Sequence, residues 1–166
     1  WFVTELMGAE KPADGKSVYD ICNDEVATVK PDDDIPVFIP FLFGSNVNPD
    51  AKACFVGVQA WHKRPHLLRA VYEGVVFGHL THLNRLFKFR NPPDVVRLTG
   101  GVTKSETWVQ IFADACNLAI EIPDGSELGA LGAAICASVA TGIHADYKAA
   151  TDTMVRVARR QDPNPE

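Results

Sequence analysis

An α/β fold with parallel strand pairing is predicted for this chain by three consecutive features of its second half. The β-branched run Val95-Val96-Arg97-Leu98-Thr99 closes on Gly100-Gly101. Thr107 to Asn117 then has helical spacing, with Trp108, Ile111, Phe112 and Ala115 or Cys116 on one stripe, and leads into Leu118-Ala119-Ile120-Glu121-Ile122, which closes on Pro123-Asp124-Gly125. An Ala-rich helix follows from Leu128 to Val139, with Thr141-Gly142 as its C-cap. Strand, helix, strand, helix with short loops is the pattern of an α/β layer.

Composition supports a packed fold. Of 166 residues, 46% are hydrophobic and 22% charged, which excludes a wholly disordered chain. That length holds one domain with a real core and is short for two. Lys+Arg is 16 against 21 Asp+Glu, a formal charge of −5, so a nucleic-acid surface is not expected. No apolar run approaches the ~20 residues of a membrane span. Cys22, Cys54, Cys116 and Cys136 are irregularly spaced and form no C-x-x-C motif. Cys116 and Cys136 fall in apolar helical patterns and are expected as buried free thiols, in a reducing cytoplasm.

The chain opens on Trp1-Phe2-Val3-Thr4-Glu5, neither an initiator Met nor a secretory leader. It is expected to start inside an element of a longer protein. Residues 17–29 have near-helical spacing at Val18, Ile21, Cys22, Val26 and Val29, with Ser17 as N-cap and a break at Lys30-Pro31. Asp32-Asp33-Asp34 reads as a solvated loop. Ile35 to Phe43 is apolar and flanked by prolines, a short strand or extended segment, and Gly44 to Asp50 is a loop. Pro65 opens the clearest helix, which runs to about Phe87. Gly74 and Gly78 share a face there, as needed if another element packs closely. Residues 146–166 read as a tail, whose end, Gln161-Asp162-Pro163-Asn164-Pro165-Glu166, is polar and Pro-rich like a frayed one.

For chemistry, the segment Leu98 to Ser105 stands out. A strand ends, two glycines follow, and Ser105 is placed to cap a helix. Such a turn lets a ligand approach backbone, and a helix N-terminus favours phosphate. It fits neither the Walker A loop nor G-x-G-x-x-G, so a nucleotide loop and an ordinary strand–helix turn both remain open. Gly129-Ala130-Leu131-Gly132-Ala133-Ala134 is read as a tightly packed helix. His62 with His66, and His79 with His82, lack a third zinc ligand and are expected to pack or hydrogen-bond. No serine-hydrolase elbow and no paired carboxylates appear.

Taken together, the motifs resemble the C-terminal domain of the FGGY carbohydrate kinases. Ala53-Cys54-Phe55-Val56-Gly57-Val58, seven further residues, and His66-Leu67-Leu68-Arg69-Ala70-Val71-Tyr72-Glu73 fit that family's C-terminal signature. Pro40-Phe41-Leu42-Phe43-Gly44 resembles the segment before it. Thr99-Gly100-Gly101 through Trp108, Gln110, Ala113 and Asp114 resembles T-G-G-G-A-R-S-x-x-W-x-Q-x-x-A-D, and Gly129 to Ala134 matches G-A-x-G-A-A. These four ordered motifs cover about residues 36–145.

The resemblance implies an actin-like, RNase H-like domain, here a single incomplete C-terminal one. It has a leading segment 1–35, a motif-bearing core 36–145 and a tail 146–166. It implies ATP with Mg²⁺ in a cleft between two domains, and a sugar held mainly by an N-terminal domain that also carries the Asp general base. No catalytic and no metal residue is therefore assigned on this chain. By position, Gly100 and Gly101 resemble the turn at the α-phosphate and ribose, and Ser105 the small polar residue near adenine. Val102 replaces a third glycine and adds bulk, while Thr103-Lys104 replaces a small-Arg pair. Gly44-Ser45-Asn46 and the Glu73 to Arg85 stretch look most like the L-xylulose kinase subgroup. The implied activity is phosphate transfer from ATP to a ketopentose-type sugar, in a protein for which a homodimer is an open arrangement. A non-catalytic nucleotide-binding or interaction module of the same fold is the alternative.

Overall fold

The computed structural model describes residues 1–7, 15–30 and 32–165. Pro31, read as a helix breaker, and Glu166 lie outside the described residues. The chain forms two compact units, Trp1–Asn91 and Pro92–Glu166, where the sequence suggests one domain.

In the first unit, α1 (Val18–Val26) starts at Ser17 as expected. The Ser17 hydroxyl accepts from the Asp20 N–H at 3.2 Å, and the Ser17 N–H donates to Asp20 Oδ2 at 2.7 Å. This reciprocal box holds two backbone donors that a helix end otherwise leaves bare. The prolines around residues 35–43 leave only a short strand, β1 (Val37–Ile39), paired antiparallel with β2 (Cys54–Val56). Phe38 and Phe55 face each other across the pair, ring centres 4.6 Å apart.

The long helix α2 (Arg64–Leu86) carries Leu68, Ala70, Tyr72 and Val76 into a core shared with Cys22, Val26 and Phe38. β1 packs on α2 at Gly74. A Cβ built there would stand 2.3 Å from the Phe38 carbonyl oxygen, so only glycine permits the approach. At Gly78 the nearest atom, Pro40 Cγ, is 4.0 Å away. The close packing expected of this glycine pair is thus concentrated at Gly74.

Much of the signature stretch holds α1, α2 and the 32–34 loop together. Arg64 pairs with Glu25, and Tyr72 donates to Asn23 Oδ1 at 2.9 Å. Burial pushes the Tyr72 phenol above its usual range. The Lys63 N–H donates to His66 Nδ1 at 3.0 Å, tying the start of α2. His62 accepts from the Gln59 N–H at 2.8 Å, and its other ring nitrogen lies 3.0 Å from the Asp34 carbonyl oxygen. Both histidines therefore hydrogen-bond, as anticipated.

The second unit is a three-stranded sheet with helices. β3 (Val95–Arg97) pairs parallel with β4 (Ala119–Pro123), and β4 pairs antiparallel with β5 (Val157–Gln161). Between β3 and β4 runs α3 (Glu106–Cys116), ended by Asn117 at φ 48°. α4 (Leu128–Ala140) and α5 (Tyr147–Met154) join β4 to β5. The predicted strand–helix order and parallel pairing are present.

Three expectations need correction. The stretch read as a tail from residue 146 holds α5, capped by the Asp146 carboxylate on the Ala149 N–H at 2.8 Å, and strand β5, and beyond it the Asn164 N–H is tied to Asp114 Oδ1 at 2.7 Å. The α3 stripe is turned: Val109, Ile111, Phe112 and Ala113 are buried, whereas Trp108 is only half-buried. Cys136 is exposed: α4 packs on α5, where Ser138 faces Met154 at 3.9 Å and is the one buried residue of the helix, and its small residues stay open. Cys116 is half-buried, and burial raises its thiol pKa; all four cysteines are free.

The two α2 glycines are expected to respond oppositely to alanine. Gly74→Ala drives a methyl into the Phe38 backbone and should cost about 1–3 kcal/mol. Gly78→Ala adds helix propensity without a clash and should stabilise by up to about 1 kcal/mol. Urea unfolding midpoints of the two variants check this.

Candidate functional site

β3 and β4 are parallel neighbours, so the turns that follow them leave the sheet at the same edge. That edge is where open α/β sheets bind ligands. A cavity of about 520 Å³ lies there, bounded by Thr99, Gly100, Gly101, Thr103 and Lys104 after β3. Its opposite wall is Pro123, Gly125, Ser126, Glu127, Leu128 and Gly129, at the end of β4 and the start of α4.

The first wall is built by the glycine pair. Gly100 has φ 93° and ψ −171°, backbone that a side chain makes strained. It turns the chain into the 3₁₀ segment Gly101–Lys104. Thr103 closes that segment: its N–H and its hydroxyl both donate to the Gly100 carbonyl, at 3.1 and 2.7 Å. A Cβ at Gly100, Gly101 or Gly129 would meet no atom within 4 Å. These glycines keep open space beside the backbone; none of them serves internal packing.

The four residues singled out from the sequence divide into two pairs. Gly100 and Gly101 line the cavity. Val102 is half-buried, and its carbonyl accepts from the Ser105 N–H at 3.1 Å. Ser105 is buried, and its hydroxyl accepts from the Trp108 N–H at 3.1 Å as the N-cap of α3. Val102 and Ser105 thus shape the turn from behind. The sequence reading missed the opposite wall. Gly125 and Ser126 carried a usable signal, since they lie between the end of a predicted parallel strand and the start of a helix. Gly129, read as tight packing, faces open space.

The electrostatics suit an anion. α4 has no side-chain cap at its N-terminus, so its first-turn N–H groups and the positive end of its dipole meet the cavity. Lys104 adds a cation and Glu127 an opposing carboxylate. Among the described residues, no group of three His, Cys, Asp or Glu side chains is placed to hold a metal ion. None of the helices among them is long and apolar enough to cross a membrane.

The first unit has its own larger hollow, about 660 Å³, between α2 and the 40–51 loop, lined by Phe41, Val47 and Val75 with His82 and Arg85. It lies at no parallel strand end and has no glycine turn into a helix.

Comparison with known proteins agrees with the resemblance drawn from the motifs. The model of the FGGY family of carbohydrate kinases, C-terminal domain, matches residues 1–141. The L-xylulose/3-keto-L-gulonate kinase of Escherichia coli is 42% identical over 136 residues, 82% of this chain and 27% of that protein. A probable L-xylulose kinase of Haemophilus influenzae is 46% identical over 120 residues, 72% of this chain and 24% of that protein. The crystal structure of gluconate kinase from Lactobacillus acidophilus superposes with a TM-score of 0.85 at 26% identity, covering 99% of this chain and 33% of that one. The chain thus spans about a quarter to a third of the length of these proteins.

Two substitutions separate the turn from its support. Gly100→Ala meets no atom but forces alanine into glycine-only backbone, at a cost of about 1–3 kcal/mol. Ser105→Ala removes the α3 cap at about 1 kcal/mol. Thermal melts give both stabilities, and nucleotide titration should show the larger loss of binding for Gly100→Ala.

Proposed function

The chain belongs to the C-terminal domain of the FGGY family of carbohydrate kinases, and from that premise we propose that it forms the ATP side of a two-domain kinase. The reaction is transfer of the γ-phosphate of ATP to a hydroxyl of a ketopentose-type sugar such as xylulose. One observation carries this reading: the Gly100-Gly101 turn and the uncapped start of α4 bound one cavity at the parallel end of the sheet.

Phosphoryl transfer is catalysed largely by placement and by neutralising phosphate charge. Gly100 and Gly101 let the nucleotide lie against backbone beside its α-phosphate and ribose. The α4 N–H groups and Lys104 supply positive potential. Val102 and Ser105 act through the turn and the α3 cap. ATP brings the phosphoryl group; Mg²⁺, which the resemblance implies, takes no three-residue cluster from the described part of this chain. The sugar and the general base belong, on this reading, to an N-terminal domain in the full-length polypeptide. The L-xylulose kinases at 42% and 46% identity support the ketopentose. Use of ATP supports a cytoplasmic setting, and the resemblance supports a homodimer. The non-catalytic module is not favoured, because the relatives compared are named as kinases.

The test is Gly101→Trp in the full-length polypeptide that carries this chain. Gly101 lies outside the left-handed region and a Cβ there enters open space, so the indole should fill the cavity without disturbing the fold. Against a panel of xylulose, gluconate and related sugars with ADP release as readout, the KM for ATP should rise more than about tenfold or turnover should cease. Unchanged ATP kinetics would remove the nucleotide from this cavity.

A further inference from the structure

The residues beyond the family match, from 142 onward, do more than extend the sheet. β5 places Arg159 opposite Ile122 of β4, and its guanidinium reaches the nucleotide turn. Arg159 Nη2 donates to the Thr103 carbonyl at 3.0 Å, and Nη1 to Glu106 Oε1 at 3.1 Å. Thr103 is the residue that fixes the Gly100 carbonyl through two hydrogen bonds. A continuous chain of bonds therefore runs from β5 through Thr103 to the glycine that shapes the cavity wall.

We propose that Arg159 is a positioning residue for nucleotide binding, a reading that rests on the function proposed above. It acts in two ways. It satisfies a carbonyl at the end of a 3₁₀ turn, which lacks an intrahelical donor there, and so limits the movement of Gly100 and Gly101. It also pairs with the exposed Glu106 carboxylate in the first turn of α3, and so links the turn to the start of that helix. A guanidinium suits both tasks because its planar fork donates in two directions at once.

Other bonds from the same segment run to α3 and not to the turn. Gln161 donates to Gln110, and the Asn164 N–H donates to Asp114 Oδ1 at 2.7 Å. This supplies an internal control. In the full-length polypeptide, Arg159→Ala should raise the KM for ATP about tenfold, with kcat within about twofold and the sugar KM unchanged. Arg159→Lys, which keeps the charge and one bond, should recover to within about threefold of the parent. Gln161→Ala should lower the melting temperature and leave the KM for ATP unchanged. If Arg159→Ala does not fold, Arg159→Gln, which removes the charge at similar length, carries the comparison with the same expected rise in the KM for ATP.

An unchanged KM for ATP in Arg159→Ala, or an equal rise in Gln161→Ala, overturns the proposal. The functional reading fails separately, when Gly101→Trp leaves ATP kinetics untouched. If Gly101→Trp is impaired while Arg159→Ala matches the parent, only the tether is refuted. A parent without ATP-dependent phosphorylation of any sugar tested refutes both.

Discussion

Parallel pairing of β3 with β4 is the constraint on which the candidate site depends. Two neighbouring strands running the same way need a crossover, and α3 supplies it. Both following turns are then forced to the same edge, where Gly100 and Gly129 come to line one space. β4 bears the load of this arrangement. Ile120 is wholly buried, Ala119 and Ile122 nearly so, and both edges of the strand are paired. Ala119 and Ile120 point to opposite faces, so β4 is covered on both faces as well as paired at both edges.

The first unit obeys a different constraint, the close approach of β1 to α2 at Gly74. The conspicuous C-terminal signature has a structural explanation there. Arg64, His66 and Tyr72 fasten α2 to α1 and to its own start, and Glu73 pairs with Arg69 along the helix. The second motif works similarly. In W-x-Q-x-x-A-D, Ala113 is wholly buried against the sheet, while Gln110 and Asp114 bind the segment after β5. Residues that read as a family badge are, in large part, joints.

Legibility in the sequence followed the strength of local signals. Helix α2 has its proline start and a long apolar pattern, and its predicted bounds differ from Arg64–Leu86 by a single residue at each end. The turn at Gly100 was visible because glycine pairs between a strand and a helix are uncommon without cause. β5 was not visible: Val157-Ala158-Arg159-Arg160-Gln161 has no apolar alternation, and it is held by backbone pairing and by polar side chains reaching α3 and the turn. Cys136 was misplaced for a related reason. An apolar composition forecasts burial only where a neighbour covers that face, and α5 covers one side of α4 alone. The cavity's opposite wall depends on strands adjacent in space, which no local window contains.

The tether from β5 also sets an order of events during synthesis. Thr103 and Arg159 are 56 residues apart. At ~5–20 residues per second, the ribosome extrudes the glycine turn roughly 3–11 s before the arginine that braces it. Once β4 has also emerged, the nascent chain has the parallel pair and the turn without their clamp. The pocket matures late, only after the third strand has docked, and a stalled or prematurely terminated product would carry the motif without its bracing.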